Sequence, residues 1–287
     1  MTHHANDSTH AIENLFDRLW QQYTAINPQA AVIHELLSRR GEHVVNDHIA
    51  LRTFNTPKLG LDALARVFEK HDYERAGEYA FEEKKLDAIH LQHSRYPERF
   101  PKVFISELRV QDFSPQFQRI VQKLDEQVSH AQLADDHFVA SGRPWQLSQA
   151  DYEALKAESE YAAWLASLGY MANHFTVSLN HLLTFFELAE LNRFLKRNGF
   201  VLNHTGGEIK GTPEQLLEQS ATLASETRVD FSDGQRRVPG CFYEFAKRYP
   251  QADGRLYQGF IAANADKIFE STNQAVATPE CGQEAVA

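Results

Sequence analysis

Hydrophobic positions recur at helical spacing in two stretches near the start of the chain. Ile12, Leu15, Phe16, Leu19 and Tyr23 line one side of residues 11–26, and Val32, Ile33, Leu36 and Leu37 do the same in 28–39. Gly41 is a stop signal for the second helix. The period then changes. Residues 44–54 read as a strand, 61–71 as a helix, and 73–80, 86–93 and 102–110 as three further strands. Helical patterns return at 114–128 and 148–168. A strand over 171–180 and a helix over 187–198, closed by Gly199, follow. Strands are expected at 200–210, 222–231 and 240–247, with a short helix at 213–219 and one more strand at 256–263.

The order strand, helix, strand, strand, strand therefore occurs twice, at about 44–110 and about 171–247. This predicts an α+β fold of two βαβββ modules with N-terminal helices and a helical insert at about 114–168. The expected organisation is a flexible N-terminus over 1–10, a single catalytic domain over 11–275 and a flexible tail over 276–287.

Side chains alternate across a strand, so residues two apart share a face. In the first strand, Asn46, His48, Ala50, Arg52 and Phe54 point one way, and Asp47, Ile49, Leu51 and Thr53 the other. His48 and Arg52 thus share a side, about 13 Å apart along the backbone, close enough for their side chains to converge on one anion. In the first strand of the second unit, His174, Thr176, Ser178 and Asn180 form a polar face, which lines a cavity or meets solvent. Glu244 sits among Phe242, Tyr243 and Phe245, where a carboxylate needs a cation; a metal is one such partner, and Arg248 or Arg237 is another. If the two units pair about a pseudo-twofold, His48, His174 and Glu244 meet at one centre. Two imidazoles and a carboxylate suit non-haem iron. The position matching Glu244 in the first unit is expected near Glu107, which would make a fourth ligand. His90 and His93, at odd separation on one strand, face opposite sides. The glycine cluster at 204–211 reads as a turn rather than an anion loop.

Composition narrows the classes. A formal charge of −10 argues against a dedicated nucleic-acid binder. Two cysteines, Cys241 and Cys281, make no disulfide framework, which points to a reducing, cytoplasmic setting. No apolar run is long enough to span a bilayer as a helix.

Residues 46–54 (NDHIALRTF), 169–176 (GYMANHFT), 206–211 (GGEIKG), 238–245 (VPGCFYEF) and Gly259-Phe260 together resemble the 2-oxoadipate dioxygenase/decarboxylases, or hydroxyglutarate synthases. The resemblance runs from about residue 44 to 275. It implies a half-barrel sheet like that of the vicinal oxygen chelate superfamily, Fe(II) held by His48, His174 and Glu244, and Arg52 as the binder of a substrate carboxylate. The implied reaction converts 2-oxoadipate and O2 to 2-hydroxyglutarate and CO2, a step of lysine degradation. Two rivals stand beside it. One is a hydrolase, isomerase or lyase using another divalent metal; the other is a binding protein without catalysis.

Overall fold

A computed structural model describes residues 2–269 and Thr272. The tail expected over 276–287, and Cys281 in it, lie outside the described residues. Helix α1 (Thr2–Ile26) begins well ahead of residue 11, through the stretch expected to be loose; the first proline is Pro28, so nothing in those residues interrupts the turns. Helix α2 (Pro28–Arg39) follows with its proline in the first turn.

The first unit is β1 (Asn46–Phe54), α3 (Leu61–Glu69), β2 (Tyr73–Phe81), β3 (Leu86–His93) and β4 (Lys102–Leu108), as the periodicity predicts. The insert holds α4 (Pro115–Glu126), α5 (His130–Ala134), α6 (Gln149–Glu158) and α7 (Glu160–Leu168). Each has a serine N-cap whose hydroxyl accepts a backbone N–H: Ser114, Ser129, Ser148 and Ser159. Gly169 ends α7 with φ 74°, and a Cβ there would lie 2.3 Å from the Gly142 carbonyl oxygen, so only glycine fits.

The second unit is β5 (His174–Ser178), α8 (Leu188–Arg197), β6 (Lys210–Thr212), β7 (Leu217–Ala221) and, after a hairpin of β8 (Glu226–Phe231) and β9 (Gly234–Pro239), β10 (Phe242–Arg248). Helix α9 (Ala262–Phe269) closes the described chain. All main-sheet strands join in the order β2-β3-β4-β1-β5-β10-β7-β6. Read outward from the central pair, both halves run first, fourth, third and second strand of their unit. The centre is antiparallel, with Ala50 opposite His174 and His48 opposite Thr176, while β1–β4 and β5–β10 are parallel. This is the pseudo-twofold half-barrel. On its outer face Trp20 and Tyr23 of α1 pack against Phe175 and Tyr243, with ring centroids 5.0 to 6.3 Å apart. The inner face carries the polar residues.

The second unit departs from expectation in its connections. Residues 200–209 form no strand apart from a bridge between Leu202 and Thr222. The helix expected at 213–219 is one 3₁₀ turn; Leu216 at φ 65° ends it, and residues from Leu217 pair with β10 instead. Residues 226–231 leave the main sheet for the β8–β9 hairpin, which reverses at Ser232-Asp233. The strand expected at 256–263 is a loop leading into α9. Its Tyr257 and Gly259 carbonyls accept from the Arg248 guanidinium at 2.9 and 2.8 Å rather than from a neighbouring strand.

Candidate metal centre

The central pairing puts His48, His174 and Glu244 on the inner face within reach of one another. Cross-strand partners point the same way, so His48 on β1, Thr176 on β5 and Glu244 on β10 stand side by side, with His174 two residues along. One ligand atom from each of His48, His174 and Glu244 falls within 4.8 Å of the others, and all three residues are buried. Glu244 Oε1 is 3.5 Å from His48 Nε2, and Oε2 is 3.4 Å from His174 Nε2. Those separations exceed the ~2.7–2.9 Å of a charge-assisted hydrogen bond. They are near the spacing of donors around one ion, about 3 Å for metal–ligand bonds of ~2.1 Å.

Each donor is held from behind. Gln219 Nε2 donates to Glu244 Oε1 at 2.6 Å, while Glu244 Oε2 is buried with no hydrogen-bond partner among the described residues. Burial raises the Glu244 carboxyl above its ordinary range, with His48 and the Gln219 bond pulling the other way. Burial also holds His174 well below an ordinary histidine, and the nearby His48 and Arg52 add to this. A neutral imidazole and a carboxylate short of a partner are the state a divalent cation needs. The residues present fit such an ion.

Asp47 was expected among the outward, apolar positions. The register of β1 shifts between Asn46 and His48, and this irregularity brings the Asp47 carboxylate to the site. Asp47 Oδ1 lies 2.8 Å from His48 Nδ1, and both its oxygens meet Arg248, from Nε at 2.6 Å and Nη2 at 2.8 Å. Burial would raise the Asp47 carboxyl, but Arg248 and the His48 bond hold it well below the usual range. Arg248 is thus the partner of Asp47 and not of Glu244. Arg237 is also elsewhere, on β9 facing Glu226 at 3.7 Å.

Glu107 is likewise not at the site. It pairs with Thr53 on the outer side of the sheet and accepts from Asn55 Nδ2 at 3.0 Å and Leu61 N at 2.8 Å. Registers show the true counterpart of Glu244: Phe242 faces His174 as Lys102 faces His48, so Glu244 corresponds to Phe104. Phe104 and Glu244 are each the third residue of a seven-residue strand, a match hidden by the bounds expected from the sequence, 102–110 against 240–247.

Arg52 shares the inner face with His48. Its guanidinium lies between Tyr161 and Trp164 of α7, 4.8 Å from each ring. Burial lowers its pKa to about 10, so it stays charged at neutral pH. It lines a cavity of about 210 Å³ with Lys84, Lys85, Tyr161 and Thr272. The space directly among His48, His174, Gln219 and Glu244 is only about 20 Å³, because Phe260 and Ile268 roof it. A larger cleft of about 770 Å³ runs past Glu107, Asp62, Arg66 and Arg75. Size notwithstanding, it is an open groove away from the triad, and among the described residues only His48, His174 and Glu244 form a group that could hold a metal ion.

His90 faces inward and His93 outward, as their odd separation predicts. His90 Nδ1 is 2.9 Å from the Tyr79 hydroxyl, and His93 stacks on Phe100. The glycine-rich 204–211 segment is the turn into β6, in which Lys210 Nζ donates to the Asn203 carbonyl at 2.6 Å. Sequence reasoning missed Asp47, Gln219 and Phe260 as site residues. Alternation in LEQSA would have paired Gln219 with the inward positions of β10 had those residues been read as a strand.

The profile of a family described as 2-oxoadipate dioxygenase/decarboxylase matches residues 3–255. A curated 2-oxoadipate dioxygenase/decarboxylase of Oryza sativa subsp. japonica is 37% identical over 279 residues, covering 88% of this chain and 76% of its own. The crystal structure of a hydroxyglutarate synthase with 2-oxoadipate from Oryza sativa has a TM-score of 0.87 at 33% identity, covering 93% of each chain. A crystal structure from Shewanella frigidimarina, provisionally labelled a hydrolase, is 53% identical with a TM-score of 0.84, covering 88% of this chain and 98% of its own. A glyoxalase superfamily structure from Ralstonia eutropha, at 23% identity and a TM-score of 0.69, shares the fold.

Proposed function

Because the chain belongs to the 2-oxoadipate dioxygenase/decarboxylase family, we propose that it converts 2-oxoadipate and O2 to 2-hydroxyglutarate and CO2. The metal of this site is iron(II), and His48, His174 and Glu244 hold it. The observation that carries the reading is the buried triad, with Glu244 Oε2 unsatisfied by any donor among the described residues. A set of two histidines and one carboxylate is the donor chemistry of non-haem iron oxygenases. When bound, the iron supplies activation of O2 for oxidative decarboxylation. The substrate is its own reductant, and the equation balances without a second 2-oxo acid.

The chain's own residues supply recognition and shielding. Arg52 binds a substrate carboxylate; its planar fork, braced by Tyr161 and Trp164, offers two parallel N–H donors. Phe260 and Ile268 keep water from the reacting centre. Among the described residues no helix is long and apolar enough to cross a membrane. Cys241 is buried and free, in keeping with a cytoplasmic, reducing setting.

Anaerobic reconstitution with Fe(II), then oxygen uptake against 2-oxo diacids, tests this. The expected result is equal amounts of O2 consumed, CO2 released and 2-hydroxyglutarate formed from 2-oxoadipate. No oxygen uptake with any 2-oxo acid overturns it. Turnover that persists without O2 would instead favour the hydrolase label of the Shewanella frigidimarina relative.

A further inference from the structure

Both histidines of the triad follow a residue whose side-chain oxygen meets their Nδ1. For His48 it is Asp47, at 2.8 Å; for His174 it is Asn173, at 3.2 Å. The registers place these two pairs at corresponding points of the two units, yet one acceptor is charged and the other neutral. A carboxylate with no proton of its own accepts only from an Nδ1–H ring, which leaves Nε2 bare. The bare Nε2 of His48 faces Glu244 and the Thr176 hydroxyl, the latter at 3.1 Å.

Asp47 is itself fixed. Arg248 grips both of its oxygens, and the remaining Nη1 of the same guanidinium donates to the carbonyls of Tyr257 and Gly259. The next residue, Phe260, stands edge-on to His48 with ring centroids 4.8 Å apart, and lies under the guanidinium at 5.2 Å. One arginine therefore touches the group behind a triad histidine and the segment in front of it.

We propose that Asp47 and Arg248 are a positioning pair for the metal site: Asp47 holds the His48 ring with Nε2 turned toward the ion, and Arg248 holds both Asp47 and the cover at 257–260. The inference rests on the metal reading above and adds residues that do not touch the ion. An aspartate behind a histidine ligand fixes its tautomer and strengthens it as a donor. The neutral Asn173 behind His174 gives the two histidines unequal support.

The test uses the full-length metal-free chain titrated anaerobically with Co(II), followed by visible absorption. Wild type is compared with Asp47→Asn and with Asp47→Asn/Arg248→Met. Both variants are expected to bind Co(II) about 10–100-fold more weakly, the usual loss for groups behind a ligand. The double variant removes both charges, so its loss does not come from a stranded guanidinium. A folded double variant that binds as tightly as wild type overturns the proposal. Imidazole ¹⁵N shifts of metal-free wild type give a second measurement that needs no variant. His48 is expected as the Nδ1–H tautomer, and the Nε2–H tautomer overturns the pair's role. Wild type that fails to take up Co(II) at all counts against the metal reading, a different outcome from either of these.

Discussion

Arg52 stands four residues beyond His48 on the same strand and the same face, its guanidinium pressed between the rings of Tyr161 and Trp164. Such bracing suits a planar fork and not a flexible ammonium. Arg52→Lys is therefore expected to lower kcat/KM for 2-oxoadipate by roughly 30- to 5000-fold, the ~2–5 kcal/mol of a buried charged contact broken on one side. Metal content should stay at the wild-type level. Steady-state kinetics beside metal analysis checks both, and unchanged turnover would remove Arg52 from substrate recognition.

Glu244→Gln keeps the shape of the side chain and the contact with Gln219 but removes the anionic donor. It is expected to weaken Fe(II) or Co(II) binding by more than about 100-fold, beyond the loss typical of residues behind a ligand. Anaerobic equilibrium dialysis measures this. Stoichiometric metal in the variant would move the carboxylate role elsewhere, though not to Glu107, which faces the outer side.

The metal-free chain should lose stability on mild acidification. Burial, with Lys102 and Arg248 nearby, lowers His90 from 6.5 to about 4. The unfolded chain thus binds the proton first, so stability is full above about pH 6.5 and falls as pH drops toward 4. The limiting loss from His90 is about 3 kcal/mol at ~1.4 kcal/mol per pKa unit. His174, also depressed by burial, shifts stability in the same direction, while Glu244, raised by burial, opposes it, so the His90 contribution is read by difference. Urea unfolding at pH 7 and pH 5 checks the slope, and a His90→Gln variant should flatten it.

Gly169→Ala should be costly although the residue touches no reacting group. It combines φ 74° with a carbonyl oxygen 2.3 Å from where the new methyl would sit. A loss of about 2–4 kcal/mol is expected, in the class of strained-backbone substitutions. Thermal unfolding of the variant measures it; a Tm within a degree of wild type contradicts the stated geometry.

Much of this was legible in the sequence because the chain keeps strict alternation where it matters. The period-two pattern of 46–54 and 174–180 put His48 and Arg52 on one side of their strand and His174 on a polar face of its own, and the repeated element order brought Glu244 to them. What was hidden depends on events that alternation does not encode. A one-residue irregularity turned Asp47 toward the site. The composition of 213–219 favours a helix, but pairing with β10 made Leu217–Ala221 a strand and aimed Gln219 at Glu244. Residues 226–231 pair with 234–239 in a hairpin apart from the main sheet, so β8 could not be the third strand of its unit. Phe260 reached the site through carbonyl contacts to Arg248, which leave no trace in hydrophobic spacing.

Phe104 occupies the place that Glu244 holds in the other half of the molecule. A duplicated unit with both carboxylates kept would surround its ion with four protein donors and leave little for anything else to bind. Here one half offers a benzyl ring instead of an oxygen. That broken symmetry gives the site a dry, non-coordinating flank, which would leave part of a bound ion's surroundings to a ligand that brings its own oxygens.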